Sequence, residues 1–159
     1  WIGFFAQDKL KRIEATGGAA QTLCDVTAPR GGTWNAAGVI VFSGTTGLFR
    51  VPAHGGAPSP LTTLDLANGE TGHTEPVFLA GGRHYLYRIN GRKAARRGIY
   101  LGTLDGNEGT RLLGDLSSPG YTEGPAGGGY LLFVRAGTLM AQRLDAAKGA
   151  LVGEAFPVA

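Results

Sequence analysis

Apolar residues in this chain cluster in short runs. Val39-Ile40-Val41-Phe42 is apolar without alternation, and so is Tyr130-Leu131-Leu132-Phe133-Val134. A strand apolar on both sides must be covered on both faces. The runs that follow are more mixed, as in Leu10-Lys11-Arg12-Ile13-Glu14, which suits a strand nearer a rim. No segment sustains a 3.6-residue period. With 28 glycines and 8 prolines in 159 residues, helices are not expected.

These runs recur. Phe4, Phe42, Tyr87 and Phe133 head four copies, separated by 38, 45 and 46 residues. Leu10, Leu48, Ile99 and Leu139 follow six residues later in three copies and twelve later in the third. The register then passes Ala15, Ala53, Leu104 and Leu144. It reaches the turn pairs Gly17-Gly18, Gly55-Gly56, Gly106-Asn107 and Ala146-Ala147, and ends at Leu23, Leu61, Leu112 and Val152. A repeat of this length, rich in turn residues, predicts an all-β partial β-propeller of about four blades, each a four-stranded antiparallel sheet. Gly-Gly and Asp-Gly-Asn provide the positive φ that tight hairpins need.

The blades fall at approximately 1–29, 30–67, 68–116 and 117–159. The inner strands are read at Gly32-Thr33-Trp34-Asn35, at 73–79 and, weakly, at 120–125. The first blade is incomplete, lacking the strand that precedes the apolar one elsewhere. That gap, and the lack of a start methionine, lead to the expectation of a segment of a longer protein. An arc of this kind is expected to expose Phe4, Phe5 and Leu132 at its ends, to be covered by remaining blades of the same propeller or by a homodimer partner. Pro58 and Pro60 suit an outermost edge strand.

Composition narrows the picture only slightly. Charged residues make up 17% of the chain, so disorder is not expected. No apolar run approaches the length of a membrane span, so no direct membrane insertion is expected in this segment. The formal charge is +3, and Arg92, Lys93, Arg96 and Arg97 all lie in one insertion; without them the remainder is −1. The chain therefore carries one basic loop. A solvated hairpin tip is the plain reading, and contact with an acidic partner the sharper one. No aromatics interleave with these charges, so nucleic acid is not an expected partner.

The search for chemistry finds little. His54, His73 and His84 have no metal-ligand spacing, and Cys24 is alone, so no metal and no cofactor is expected. No nucleophile elbow or phosphate-binding loop is present, and the segment is read as non-catalytic. Asp105-Gly106-Asn107-Glu108 lacks the later ligands of a calcium loop. Cys24, next to Leu23, is read as a buried structural thiol. The best candidates for ligand contact are His73 and Glu75, two residues apart on an inner strand and so expected on one side of it, lining the channel. Glu123 on the fourth inner strand could join them.

The repeats resemble those of TolB-type, WD40-like propellers, whose consensus reads like P-x-W-S-P-D-G-x-x-I-x-F. The matching stretches are 33–42, TWNAAGVIVF, and 76–87, PVFLAGGRHYLY. More closely, the chain resembles the C-terminal propeller of bacterial membrane-anchored serine/threonine protein kinases. The phrases that carry this likeness are IGFFA at 2–6, KLKRI at 9–13, QTLCD at 21–25, LFRVP at 48–52, LLFVR at 131–135 and GTLMAQ at 137–142. The consensus turn aspartate is replaced by Ala37, Gly81 and Ala126. The resemblance implies a sensor or protein-interaction module on the extracytoplasmic, periplasmic side of a membrane-anchored parent, with a protein partner. The alternatives are a substrate-gating propeller of a serine peptidase and a free-standing TolB-like periplasmic scaffold.

Overall fold

The computed structural model describes residues 1–106, 109–124 and 128–158. The turn residues Asn107 and Ala126 and the residue Glu108 lie outside that set. Four antiparallel meanders follow one another along the chain. The first holds β1 (Ile2–Ala6), β2 (Lys9–Ile13) and β3 (Gln21–Asp25). The second holds β4 (Gly32–Trp34), β5 (Val39–Gly44), β6 (Gly47–Pro52) and β7 (Ser59–Pro60). The third holds β8 (Glu70–Phe78), β9 (His84–Gly91), β10 (Gly98–Thr103) and β11 (Thr110–Leu113). The fourth holds β12 (Gly120–Glu123), β13 (Gly129–Arg135), β14 (Thr138–Asp145) and β15 (Ala150–Pro157). The first sheet has three strands where the others have four, and β1 is its edge. The chain is all-β, a partial propeller with an incomplete first blade.

Three apolar cores lie between successive sheets. Leu10, Leu23 and Cys24 of the first sheet meet Ile40, Phe42 and Val51 of the second. Val41, Leu48 and Leu61 meet Tyr85, Tyr87, Ile89 and Tyr100 of the third. Leu86, Ile99 and Leu101 meet Leu131, Phe133 and Leu144 of the fourth. This explains the runs without alternation. Ile40 and Phe42 face the preceding sheet while Val41 faces the following one, so neighbouring positions on β5 are all buried. Leu23 and Cys24 are buried side by side for another reason. A register shift opposite Leu10 and Lys11 brings both toward the core.

The hairpins use positive φ as expected at Gly17, Gly18, Gly55 and Gly56. Gly106 does not take it. The tight turns Gln7-Asp8 and Ala136-Gly137 also lie in the left-handed region, three of their four residues without the freedom of glycine. The end faces need one correction. Phe5 is not part of an open face: its ring sits 6.4 Å from that of Phe42, within the first core. Adjacent residues of a strand point to opposite faces, so of these two phenylalanines Phe4 is the one that faces outward from the first sheet. Phe4 and Leu132 are half-buried.

Candidate functional site

Strand β8 carries the chemistry, because its pairing with β9 is interrupted twice. The register shifts between Glu70 and Gly72 and again between Thr74 and Val77. At the second shift Glu75 takes a φ of 56°, unusual for a residue with a side chain. The bulge undoes the expected two-residue alternation. His73 pairs with Ile89 and Thr74 with Arg88, so these two positions use opposite faces. Glu75 Oε1 lies 3.3 Å from Arg88 Nη2, which puts the carboxylate on the Thr74 side. His73 and Glu75 therefore do not share a side of the strand. His73 turns into the contact between the second and third sheets, edge-on to Tyr87 at 5.5 Å. It is buried rather than channel-lining. Glu123 stands exposed at the end of β12, on another blade.

What His73 joins instead is a buried polar relay. The backbone N–H of Leu48 donates to the Thr62 hydroxyl oxygen at 2.9 Å. The Thr62 hydroxyl lies 2.7 Å from His73 Nδ1, and His73 Nε2 lies 2.9 Å from Glu70 Oε2. The same carboxylate oxygen accepts the Asp65 N–H at 2.8 Å. Glu70 Oε1 accepts from Arg96 Nη2 at 2.8 Å and from Nε at 3.2 Å. Burial pushes the Glu70 carboxyl up, but the bonds from the Asp65 N–H, His73 and Arg96 outweigh it and hold the group below its usual range. Burial pushes the His73 imidazole down, against the pull of Glu70. Glu70 is thus ionised and paired with Arg96, and His73 is neutral. A carboxylate only accepts, so Nε2 carries the proton and Nδ1 accepts from Thr62.

Hydroxyl, imidazole and carboxylate in this order also describe a nucleophile relay. Here the hydroxyl is out of reach. Thr62 is 6% exposed and its oxygen already serves the Leu48 N–H. The relay acts as a lock between the second and third sheets. Beside it is a cavity of about 300 Å³, lined by Glu70, His73, Tyr87, Tyr100, Asp65 and Arg96 among others. Asp65 and Arg96 stand 3.7 Å apart at its more exposed side.

The basic loop is only partly a solvated tip. Arg96 folds back onto Glu70, so the acidic group expected of a partner is internal for this residue. Arg92 and Lys93 are exposed, with Lys93 Nζ 3.2 Å from Asn68 Oδ1. Arg97 offers its carbonyl to Arg111 Nε at 3.0 Å. Glu70 and Thr62 escaped sequence reasoning. Neither carries a motif, and the inner strand was read as starting at His73, three residues after Glu70. A glutamate three residues from a histidine, with one unmatched basic insertion further on, was the available signal. Among the described residues no cluster of three or more His, Cys, Asp or Glu could hold a metal ion. No helix among them is long and apolar enough to cross a membrane.

No protein-family model matches the sequence, and no curated protein does. Solved structures do match. The fold is similar to that of TolB from Acinetobacter baumannii, with a TM-score of 0.64 at 17% identity over 90% of this chain. It is also similar to the calcium-binding protein regucalcin from Agrobacterium tumefaciens, with a TM-score of 0.64 at 19% identity over 95% of this chain. The chain spans 36% of the TolB chain and 52% of the regucalcin chain. At these identities the likeness is one of fold, and that fold is the β-propeller, of which this chain forms an arc.

Proposed function

We propose that the chain is a non-catalytic propeller segment that serves protein interaction or sensing. The observation that carries this reading is the saturation of its best chemical site. The bond between the Thr62 hydroxyl and His73 joins two blades, and Glu70 and Arg96 pair behind it within the third. The most reactive-looking constellation is therefore structural, and an interaction surface is what the scaffold has left to offer. The propeller fold agrees with a scaffold role. The repeat phrases likened to those of kinase-linked propellers extend the proposal. The parent is a bacterial membrane-anchored serine/threonine protein kinase, and this segment lies on its periplasmic side. A protein captured on a propeller face biases the kinase through its differential affinity for the two states of the parent.

Sequencing the genomic region around the coding segment tests the context directly. A kinase domain followed by one apolar helix upstream is the expected result. A downstream hydrolase domain with a GxSxG elbow would overturn it in favour of a peptidase propeller. The non-catalytic reading has its own check. The purified chain is expected to release no product from generic ester and peptide substrates, and turnover abolished by Thr62→Val would overturn that part.

A further inference from the structure

The four blades differ at one hairpin. β1 and β2, β5 and β6, and β13 and β14 are joined by two residues each: Gln7-Asp8, Thr45-Thr46 and Ala136-Gly137. The corresponding strands of the third blade, β9 and β10, are joined by residues 92–97. Two residues close this hairpin elsewhere, so the insertion serves something other than the sheet. Insertions into one copy of a repeat map to loops on one face, commonly the binding face. The inserted loop is fastened along its length. The Arg92 N–H donates to the Gly69 carbonyl at 2.8 Å, and the Tyr100 hydroxyl donates to the Arg96 carbonyl at 2.8 Å. Arg111 donates from Nε to the Arg97 carbonyl at 3.0 Å and from Nη2 to the Ala94 carbonyl at 3.3 Å. Arg96 itself pairs with Glu70.

Three cations of the loop are left to solvent. Among the described residues no carboxylate lies within ion-pair distance of Arg92, Lys93 or Arg97. Lys93 Nζ lies instead 3.2 Å from Asn68 Oδ1, which sets the loop against the short 3-10 turn Leu66–Asn68. Leu66 on that turn is 74% exposed, more than any other large apolar side chain among the described residues. Asp65 fixes the turn by accepting the Asn68 N–H at 3.1 Å. A fixed basic edge thus stands beside a fixed apolar tip. Both belong to the third blade and the crossover into it, with a blade on either side, so the surface does not depend on where the arc ends. We propose that it docks an acidic segment of a partner protein, with carboxylates against Arg92, Lys93 and Arg97 and an apolar side chain against Leu66. This rests on the reading of the chain as an interaction module and names its contact surface. The planar forks of Arg92 and Arg97 suit carboxylates, and the complementary charge speeds encounter. A nucleic acid would call for aromatics to stack on, and the loop has none. A lipid surface would call for a broader apolar face than one leucine.

Fluorescence anisotropy on the 159-residue chain tests this, with a labelled peptide of glutamates around one leucine. A second peptide has serine in place of the leucine, and phosphatidylglycerol vesicles are the lipid control. The leucine peptide is expected to bind saturably and to weaken about tenfold or more between about 50 and about 500 mM salt. Arg92→Glu combined with Lys93→Glu is expected to weaken it about tenfold or more. Leu66→Ser is expected to weaken the leucine peptide about threefold and to leave the serine peptide unchanged. These variants change exposed side chains, and matching urea midpoints confirm that they fold. Equal binding by the charge-reversed variant, or no saturable binding, would overturn the proposal. Vesicle binding without peptide binding would overturn it in favour of a membrane contact. A chain that binds no acidic peptide and turns over no ester or peptide substrate overturns this surface alone, and leaves the interaction reading to another face.

Discussion

His73 Nδ1 and the Thr62 hydroxyl lie 2.7 Å apart, and through them the second blade is bonded to the third. Thr62 also takes the Leu48 N–H, so a single side chain satisfies a backbone donor on one sheet and an imidazole on the next. Thr62→Val keeps the shape and removes the oxygen, leaving both buried partners unsatisfied. We expect a loss of about 1–3 kcal/mol in urea unfolding. Thr62→Ser restores the hydroxyl and is expected to recover most of it.

Arg96 is the partner that lets the Glu70 carboxylate stay buried. The glutamate side chain is 2% exposed and the arginine 41%. Arg96→Met removes the charge and leaves a buried anion with His73 and one N–H. Breaking a fully buried pair costs 3–5 kcal/mol, and the exposure of Arg96 brings the expected loss to roughly 2 kcal/mol. The double variant Glu70→Gln with Arg96→Met is expected to be more stable than Arg96→Met alone. A double-mutant cycle reads the coupling directly.

Glu70 and its neighbour His73 set the acid side of the stability profile. His73 in the folded chain is held below 6.5, its ordinary value, and Glu70 below 4.5. Both are depressed, so the native state binds these protons less readily than the unfolded chain. The His73 contribution is fully present well above 6.5 and is lost as the pH falls through that value toward the folded pKa. The Glu70 contribution follows below 4.5. Stability is expected to fall as the pH drops below 6.5, the ordinary value of the imidazole, and His73→Gln to flatten that slope. Urea midpoints measured at several pH values check it.

Much of the fold was legible in the chain. The head positions Phe42, Tyr87 and Phe133 recur because each fills the same gap between sheets, and a packing requirement repeated in space repeats in sequence. The candidate site was not legible, because a bulge obeys no period. His73 and Glu75 are placed on one side by the alternation rule, and the left-handed backbone of Glu75 itself, within the bulge, undoes that placement. The relay was hidden for a different reason. Thr62, Glu70 and Arg96 come from a segment after an outer strand, the start of an inner one and an insertion. Glu70 and Arg96 meet within the third blade, and only the stacking of the second blade on it brings Thr62 to them.

Gly47 and Gly98 occupy one repeat position, just before Leu48 and Ile99, and both have a φ of 141°. A Cβ at Gly47 would overlap the Thr62 carbonyl, and one at Gly98 the Leu113 carbonyl. Neither obstacle is a flexible side chain, so the backbone itself must move. Gly47→Ala and Gly98→Ala are each expected to cost more than about 2 kcal/mol, strain and overlap combined. Gly17→Ala, where a Cβ meets nothing within 4 Å, carries only the cost of its left-handed φ of 97°. Thermal melts of the three variants should separate them clearly, with Gly17→Ala the mildest.

Glu75 breaks a local rule for a modest return. It holds a left-handed backbone, it pairs with Arg88 at 3.3 Å, and among the described residues its Oε2 atom and Arg88 Nε are buried without a hydrogen-bond partner. Its backbone is nonetheless used: the Glu75 N–H donates to the Arg30 carbonyl at 2.8 Å, and Gly31 packs against its Cα. The conformation is therefore imposed by the crossover between the first and second blades, and the side chain is a passenger. Asparagine tolerates the left-handed region better than glutamate. Glu75→Asn is expected to be neutral or to stabilise by up to about 1 kcal/mol, since relieved strain offsets a long, partly buried ion pair. Glu75→Ala keeps the strain and loses the pair, and is expected to destabilise. If Glu75→Asn instead destabilises as much as Glu75→Ala in urea unfolding, the ion pair with Arg88, and not the crossover, holds this bulge.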